Sequence, residues 1–319
     1  MHRWQPAAPI ENLKIRARIL QRLREFFAKK NILEVETPLL CHTSVTDPYI
    51  ESIPAMFQSN ALKQTYYLQT SPEYAMKRLL AADSGPIFQI CKAFRQGEIG
   101  QQHNPEFTIL EWYRPGFDHH QLMNEMDELL QFILQALPAE RKTYAEVFQL
   151  FLQIDPHTAS TDTLKRLAHK HDINVQDDIS DRDTWLQILM SYCIEPQIGR
   201  DRPFFIYNFP ISQAALAKIV PGNPATASRF EVYFKGFELA NGFHELTDAK
   251  EQRKRFENNL QQRKILNLAD LPIDEFFLQA LVHGLPNCAG VALGVDRLVM
   301  IATKSSRIKN VLSFDFPRA

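Results

Sequence analysis

Cysteine is scarce in this 319-residue sequence, and no long apolar run occurs in it. The four cysteines, Cys41, Cys91, Cys193 and Cys288, lie far apart and form no CxxC pair. This spacing argues against a disulfide framework or a zinc site and predicts reduced thiols in a cytoplasmic protein. No stretch approaches the roughly 20 apolar residues of a membrane-spanning helix, and the N-terminal MHRWQPAAPI lacks the apolar core of a signal peptide. We therefore expect no membrane association.

Phosphate-binding glycine motifs are also absent, since neither GxGxxG nor GxxxxGK[ST] occurs. The sequence has no excess of charge of one sign either, because 36 basic and 37 acidic residues give a net charge of −1. This balance argues against a protein that binds nucleic acid mainly by bulk charge. The 45% hydrophobic content is enough for a large core, in one large domain or two ordinary ones.

Hydrophobic periodicity predicts alternating helices and strands along the chain. The predicted helices are 12–30, one that begins after a Ser71 N-cap with Pro72 in its first turn, 119–137, and a charged helix after Asp248. The predicted strands are 32–40 (an edge strand stopped by Pro38), 66–70, 87–94, 202–210, the hairpin 230–246 around Lys235-Gly236, and a strand that turns into a helix over 290–303. Residues 118–200 are interpreted as a helical insertion. This order favours an α/β (α+β) domain around an antiparallel sheet flanked by helices.

The stretch FRQGEIGQQHNPEFTILEWY, residues 94–113, concentrates unusual chemistry in one predicted hairpin. In its return strand the odd positions share one face, which brings together Phe107, Glu111 and Tyr113. A half-buried sheet face with a glutamate at its edge explains this pattern as well as a ligand floor does, as long as the stretch is taken alone.

The stretch closely resembles motif 2 of class II aminoacyl-tRNA synthetases, in their lysyl subgroup, and its HNPEF core is highly specific. Helix 12–30 with LEVETP resembles motif 1, the dimerisation element of that family, and GVALGVDRLVM (290–300) resembles motif 3. The segment FELANGFHEL resembles the strand that carries the metal and lysine contacts. The resemblance covers nearly the whole chain and implies a single domain over residues 1–319 with the class II catalytic fold.

The resemblance also implies a reaction, its cofactors and its residues. Class II enzymes activate a carboxylate with ATP and Mg²⁺, and they are homodimers that use motif 1. The catalytic residues implied are Arg95, which would bridge the substrate carboxylate and the α-phosphate, and Arg297, which would stack on adenine and meet the γ-phosphate. Both are planar cations suited to the negative charge of such a transition state.

The remaining roles are implied in the same way. Asn104 would contact the adenine edge, Phe107 would stack on the ring, and Glu73 and Glu245 would accept substrate amines, Glu245 together with Glu111 and Tyr113. The ATP site implied comprises Arg95, Gln96, Gly97, Glu98, His103, Asn104, Phe107, Glu231, Glu238, Leu239, Gly294 and Arg297, with Glu231 and Glu238 also as metal ligands. The substrate site implied comprises Ser71, Pro72, Glu73, Glu111, Tyr113, Asn241, Glu245 and Ala292.

The pattern is similar to free-standing relatives of the lysyl enzymes, the elongation factor P lysine ligases. We expect no anticodon-binding OB domain, because the motif 1 helix begins near residue 12. This resemblance implies that lysine, preferably (R)-β-lysine, is activated as an adenylate and transferred to a lysine ε-amino group of elongation factor P, with no tRNA involved. Ala292 stands where the tRNA synthetases have glycine, and one methyl at a pocket wall gives roughly 1–3 kcal/mol of discrimination. A mere packing role for Ala292 is the alternative.

Two positions depart from the tRNA synthetase pattern, and several functions remain open. Gly97 replaces the usual motif 2 glutamate, with Glu98 one step later, and Gln102 replaces an arginine.

The alternatives to the ligase are a truncated lysyl-tRNA synthetase that charges tRNA, a non-catalytic sensor of synthetase type, and an amide synthetase built on an asparaginyl core. The acidic lysine-type pocket disfavours the last, because an aspartate substrate would require a cation there.

Overall fold

The computed structural model describes residues 4–58, 63–175, 179 and 181–319. The chain forms two compact units, a first unit of Met1–Phe117 with Thr247–Ala319 and a second unit of Asp118–Leu246. The helices are α1 (Ile10–Lys29), α2 (Glu73–Ala81), α3 (His119–Leu134), α4 (Tyr144–Leu152), α5 (Thr161–Lys170), α6 (Arg182–Leu189), α7 (Ala249–Ile265), α8 (Glu275–Gly284) and α9 (Val295–Ala302). The strands are β1 (Leu33–Glu34), β2 (Leu40–Cys41), β3 (Pro54–Gln58), β4 (Lys63–Leu68), β5 (Ile87–Phe94), β6 (Glu106–Pro115), β7 (Glu140–Thr143), β8 (Phe204–Pro210), β9 (Ile219–Val220), β10 (Thr226–Phe234), β11 (Phe237–His244) and β12 (Cys288–Gly294).

The first unit contains a sheet with the strand order β1-β5-β6-β12. β6 pairs antiparallel with both β5 and β12, whereas β1 pairs parallel with β5 at the edge. A separate small sheet has the order β2-β4-β3. The prediction of a mixed α/β fold dominated by antiparallel pairing is confirmed.

Helix α1 forms where the apolar periodicity predicts it. Leu23 and Phe27 on its inner face are fully buried, and the Phe27 ring stacks on Phe88 of β5 with centroids 4.4 Å apart. Asn31 adopts the left-handed conformation, with φ of 54°, just after the helix. Asparagine tolerates this conformation at low cost, and it allows the chain to leave the helix here.

Two local predictions for the first unit need correction. Only Leu33–Glu34 of the predicted strand 32–40 pairs in the main sheet, while Leu40–Cys41 joins the small one. Helix α2 begins at Glu73 with Pro72 as its N-cap residue, so Ser71 lies one position outside the cap. The Ser71 hydroxyl still accepts a hydrogen bond from the Glu73 N–H at 3.1 Å.

The second unit contains strands in the order β11-β10-β8-β7, with β9 beside β10. The predicted hairpin is confirmed, because β10 and β11 pair antiparallel around Lys235 and Gly236, whose φ angles are 53° and 80°. The predicted insertion, 118–200, lies in this unit and includes α3–α6 and β7. The charged stretch DDISDRD of this insertion, residues 177–183, lies partly outside the described residues. The prediction of one domain over 1–319 stays a prediction.

All four cysteines are free thiols, as predicted. Burial and the nearby Glu111 carboxylate raise the pKa of Cys91 to about 12, so this thiol stays protonated at neutral pH. None of the helices in the described part of the chain has the length and apolarity that crossing a bilayer requires.

Candidate active site

Glu111 lies in the middle of the first unit's main sheet. It pairs directly with Gln89 of β5 and with Ala292 of β12. Directly paired residues point to the same face with Cβ atoms roughly 4.5–5.5 Å apart, so the Ala292 methyl lies beside the Glu111 side chain. Ala292 is half-buried, whereas its neighbours Val291 and Leu293 on the opposite face are buried.

The Glu111 carboxylate accepts hydrogen bonds from two hydroxyl groups. Ser71 donates to Oε1 at 2.5 Å, and Tyr113 donates to Oε2 at 3.4 Å. Glu111 is only 2% exposed, so these donors stabilise a charge that burial alone would disfavour. This group of Ser71, Glu111 and Tyr113 beside Ala292 is termed the carboxylate row. It combines negative charge with hydroxyls, the chemistry that an ammonium group requires.

Glu73 forms an ion pair that the sequence analysis did not identify. Lys77, one turn further along α2, donates to Glu73 Oε1 at 2.6 Å. The Lys77 side chain is 1% exposed, and its ammonium lies 5.7 Å from the centre of the Phe277 ring. The i,i+4 spacing of opposite charges is a signal from which the pair could have been predicted.

Arg95 lies at the start of the loop between β5 and β6. Its guanidinium lies over the Phe107 ring, 5.1 Å from the centroid, and its Nη1 is 3.4 Å from Glu98 Oε1. Its Nε is buried without a hydrogen-bond partner among the described residues. A buried donor of this kind on a cation suits an anionic ligand such as a phosphate or carboxylate.

Arg297 lies in the first turn of α9 and contacts the same loop. Its Nη2 is 2.8 Å from Nε2 of His103. Since arginine can only donate, His103 accepts at Nε2 and carries its proton on Nδ1. Burial, reinforced by the positive charge of Arg297, lowers the pKa of His103, so the imidazole is neutral at neutral pH. His103 therefore orients Arg297.

The residue before Arg297 holds the start of α9 in place. Asp296 accepts from Arg16 of α1 at 2.6 Å and from the Thr108 N–H of β6 at 2.7 Å. Arg16 also donates to the Thr108 hydroxyl at 2.7 Å. Asp296 is 2% exposed, so this network joins α1, β6 and α9 in a water-excluded position.

The loop itself is shaped by Gly97 and by backbone hydrogen bonds. Gly97 has a φ of 79°, a conformation that residues with a side chain rarely adopt. The Gln96 N–H donates to the Glu51 carbonyl at 2.8 Å. The Asn104 amide donates to the Glu106 carbonyl at 2.7 Å, and its oxygen accepts at 2.9 Å from the backbone N–H of Phe316.

The second unit places its predicted carboxylates on the β10–β11 hairpin. Glu231 accepts from Arg229 and, at 2.5 Å, from the Tyr233 hydroxyl. Glu238 pairs directly with Tyr233 beside a β-bulge, and Asn241 pairs directly with Glu231. Burial, then the charges of Glu231 and Glu238, raise the pKa of Tyr233. Arg229 is a partner that sequence reasoning missed, although it lies two positions from Glu231 on the same strand face.

Other predicted residues occupy less informative positions. Leu239 is buried, and Glu245 is 1% exposed with a backbone bridge to Ala217. The Asn241 side-chain oxygen is buried without a hydrogen-bond partner in the described chain. Gly294 is the N-cap residue of α9 and pairs with Ile109 of β6.

The structure thus brings most first-unit predictions into two groups. One is the carboxylate row. The other is the set of loop cations with their neighbours, Arg95, Glu98, His103, Phe107 and Arg297. Within the described residues, no cluster of three or more metal-ligating side chains occurs. The ligand roles of these residues stay predictions.

Comparison with known proteins places the chain among synthetase-like sequences. The family model described as "tRNA synthetases class II (D, K and N)" matches residues 6–318. A protein of Pseudoalteromonas translucida (strain TAC 125) named "Elongation factor P--(R)-beta-lysine ligase" is 53% identical over 99% of this chain and 98% of its own. Proteins of the same name from Klebsiella pneumoniae (strain 342) and Edwardsiella ictaluri (strain 93-146) are 51% and 50% identical, over 98% and 99% of their lengths.

Proposed function

The chain belongs to the class II tRNA synthetase family of the D, K and N type, and on this premise we propose that it is an elongation factor P lysine ligase. The observation that carries the proposal is identity of 50–53% over nearly the full length of relatives that bear this name. The substrate is lysine, preferably (R)-β-lysine, and the acceptor is a lysine ε-amino group of elongation factor P.

The proposed reaction has two steps, formation of an adenylate and transfer of the amino acid to the acceptor amine. A carboxylate oxygen of the amino acid attacks the α-phosphorus of ATP, and the bond to pyrophosphate breaks. The acceptor amine then attacks the carbonyl carbon of the adenylate, an amide bond forms, AMP leaves with the bonding electron pair, and the amine releases a proton. Two steps of this kind need cations where charge develops on oxygen and an anionic site for the ammonium groups of the substrate.

Arg95 and Arg297 supply those cations in the first unit. The buried Nε of Arg95 provides a donor toward an anion, and the guanidinium lies over the Phe107 ring. Arg297 is oriented by neutral His103 and by Asp296 at the start of α9. Orientation in advance of substrate binding is what makes such groups effective, because no reorganisation is needed in the transition state.

The carboxylate row supplies the site for a substrate ammonium. Glu111 carries the charge, while Ser71 and Tyr113 restrict its rotamer. Ala292 would narrow this site by one methyl group compared with glycine, which supports a preference between lysine isomers. Glu73 would receive a second amine while Lys77 holds one of its oxygens.

Glu231 and Glu238 would hold Mg²⁺ in the second unit. Mg²⁺ in nucleotide sites uses one or two carboxylates together with phosphates and water, so two glutamates fit it. The ion would neutralise phosphate charge, and Arg229 holds Glu231 in place through their ion pair. We expect a homodimer through α1 and β1, as in class II cores, and a cytoplasmic reaction, in line with the four free thiols.

Intact-mass measurement tests the ligase function. The protein, ATP and Mg²⁺ are incubated with elongation factor P and either lysine or (R)-β-lysine, and a lysine tRNA is tested in parallel. We expect a gain of one lysyl mass on elongation factor P, larger with the β isomer, and no charged tRNA. Arg95→Ala abolishes the gain, whereas the control Arg253→Ala, an exposed arginine of the same unit, retains it.

Two other outcomes of this experiment have different meanings. Charged tRNA with unmodified elongation factor P would establish a minimal lysyl-tRNA synthetase instead. If neither acceptor reacts and no lysine-dependent exchange of pyrophosphate into ATP occurs, the protein is a sensor of synthetase type.

A further inference from the structure

The last residues of the chain form a segment that the motifs do not include. Residues 307–319, here called the tail segment, follow α9 and contain two short 3₁₀ turns, Ile308–Asn310 and Phe316–Arg318. One side of the tail segment is attached to the residues before α1. The N–H groups of Ala7 and Ala8 donate to the carbonyls of Ser313 and Leu312 at 2.8 and 3.1 Å.

The other side of the tail segment contacts the loop between β5 and β6, residues 95–105. The Ile308 N–H donates to the Gln101 carbonyl at 2.7 Å. The Phe316 N–H donates to Oδ1 of Asn104 at 2.9 Å. The tail segment therefore connects the N-terminal residues to the loop that carries Arg95 and His103.

These contacts determine the orientation of the Asn104 amide. Its oxygen faces a backbone donor, from Phe316, and its nitrogen faces a backbone acceptor, the Glu106 carbonyl at 2.7 Å. A flipped amide would set donor against donor and acceptor against acceptor, so only one orientation satisfies both partners. Asn104 is 8% exposed, which makes an unsatisfied amide costly. One N–H of Nδ2 is left by these two bonds.

We propose that the backbone N–H of Phe316 is a positioning group of the nucleotide site, which acts by orienting Asn104. This inference rests on the proposed function in one respect, that the loop 95–105 binds ATP. The two bonds leave one N–H of Nδ2, and in this orientation it would donate to an acceptor nitrogen of the base. The side chain of Phe316 takes no part, since its ring is half exposed.

The backbone N–H of Phe316 can be removed by a single substitution. Phe316→Pro deletes the N–H, and proline suits the first position of a 3₁₀ turn because its φ is near −65°. The preceding Asp315 has φ of −84° and ψ of 162°, the extended conformation that residues before proline adopt. Phe316→Ala deletes the ring equally and keeps the donor, so the two variants differ in one hydrogen bond.

ATP binding to the full-length variants is measured by calorimetry with Mg²⁺ and without amino acid or elongation factor P. We expect Phe316→Pro to bind ATP about tenfold more weakly than Phe316→Ala, the effect of about one hydrogen bond. The same pair is then compared in an Asn104→Ala background. There the two variants should bind ATP equally, because the group that the N–H orients is gone.

Each outcome of this comparison decides the proposal. Equal binding by Phe316→Pro and Phe316→Ala overturns it, provided that both unfold at the same temperature as the parent. A tenfold difference that persists in the Asn104→Ala background also overturns it, because the tail segment would then act independently of Asn104. Failure of the parent protein to modify elongation factor P would refute the ligase function and leave this binding comparison unaffected.

Discussion

Ala292→Gly is the substitution that most directly tests the origin of substrate preference. The register places the Ala292 methyl beside Glu111 on the half-buried face of β12, whereas its neighbours are packed into the core. Removing the methyl enlarges the space next to the carboxylate. It does not open a core cavity, so the stability cost is limited to about 0.5–1 kcal/mol for glycine in a strand.

The expected effect follows from the size of one methyl group at a pocket wall. A difference of roughly 1–3 kcal/mol between isomers corresponds to a factor of about 5 to 150 in the ratio of kcat/KM values. We expect Ala292→Gly to improve activation of α-lysine relative to (R)-β-lysine by a factor in this range. The assay is pyrophosphate exchange into ATP, measured with each isomer at several concentrations to obtain kcat/KM.

A matched control lies on the other face of the same strand. Ala289 is fully buried and pairs with Arg114, so Ala289→Gly carries a similar or larger stability cost without touching the face of Glu111. The isomer ratio should stay at its parent value in this variant. The reasoning is refuted if Ala292→Gly leaves the ratio unchanged, or if Ala289→Gly changes it equally.

Three further predictions concern buried ionisable groups. Lys77→Met leaves Glu73 without its ammonium partner and should lower the free energy of unfolding by about 3 kcal/mol, measured by urea denaturation; no loss would contradict a buried pair. Arg16→Met leaves the buried Asp296 carboxylate without its cation, so it should lower the free energy of unfolding by about 3–5 kcal/mol and raise the KM for ATP. A loss of stability with an unchanged KM would show that α1 does not support the ATP site. Burial lowers the pKa of His119 from 6.5 to about 4. As the pH falls below 6.5, the unfolded chain therefore takes up this proton before the folded protein does. The free energy of unfolding should fall by about 3 kcal/mol between pH 6.5 and 4. His119→Gln should show a shallower loss over this range, and an identical slope would refute the assignment.

Local elements were predicted well where one physical signal dominated. The apolar stripe of α1 is a local feature. The turn at Lys235-Gly236 is also local, because its positive φ angles favour a glycine, which the sequence shows directly. Helix α8 and strand β3 were not predicted, because short elements of mixed polarity carry weak periodicity, whereas β4 overlaps the predicted strand 66–70.

The site was predicted as a set of residues and not as a set of contacts. The HNPEF core and the motif 3 arginine identified Arg95, Asn104 and Arg297 through their resemblance to a known family. Their immediate partners were harder to predict. His103 contacts Arg297 across nearly 200 positions of sequence, and Phe316 contacts Asn104 across a similar separation. Sequence spacing carries no information about such pairs.

The sequence by itself determined the family, the reaction class and the helices and strands whose apolar pattern is regular. It did so because motif residues and periodicity are properties of neighbouring positions. Only the tertiary structure decided that Ala292 lies beside Glu111, that Lys77 neutralises Glu73 and that the tail segment orients Asn104. The sheet register and the buried ion pairs depend on how distant segments pack against each other, and that packing is a property of the whole folded unit.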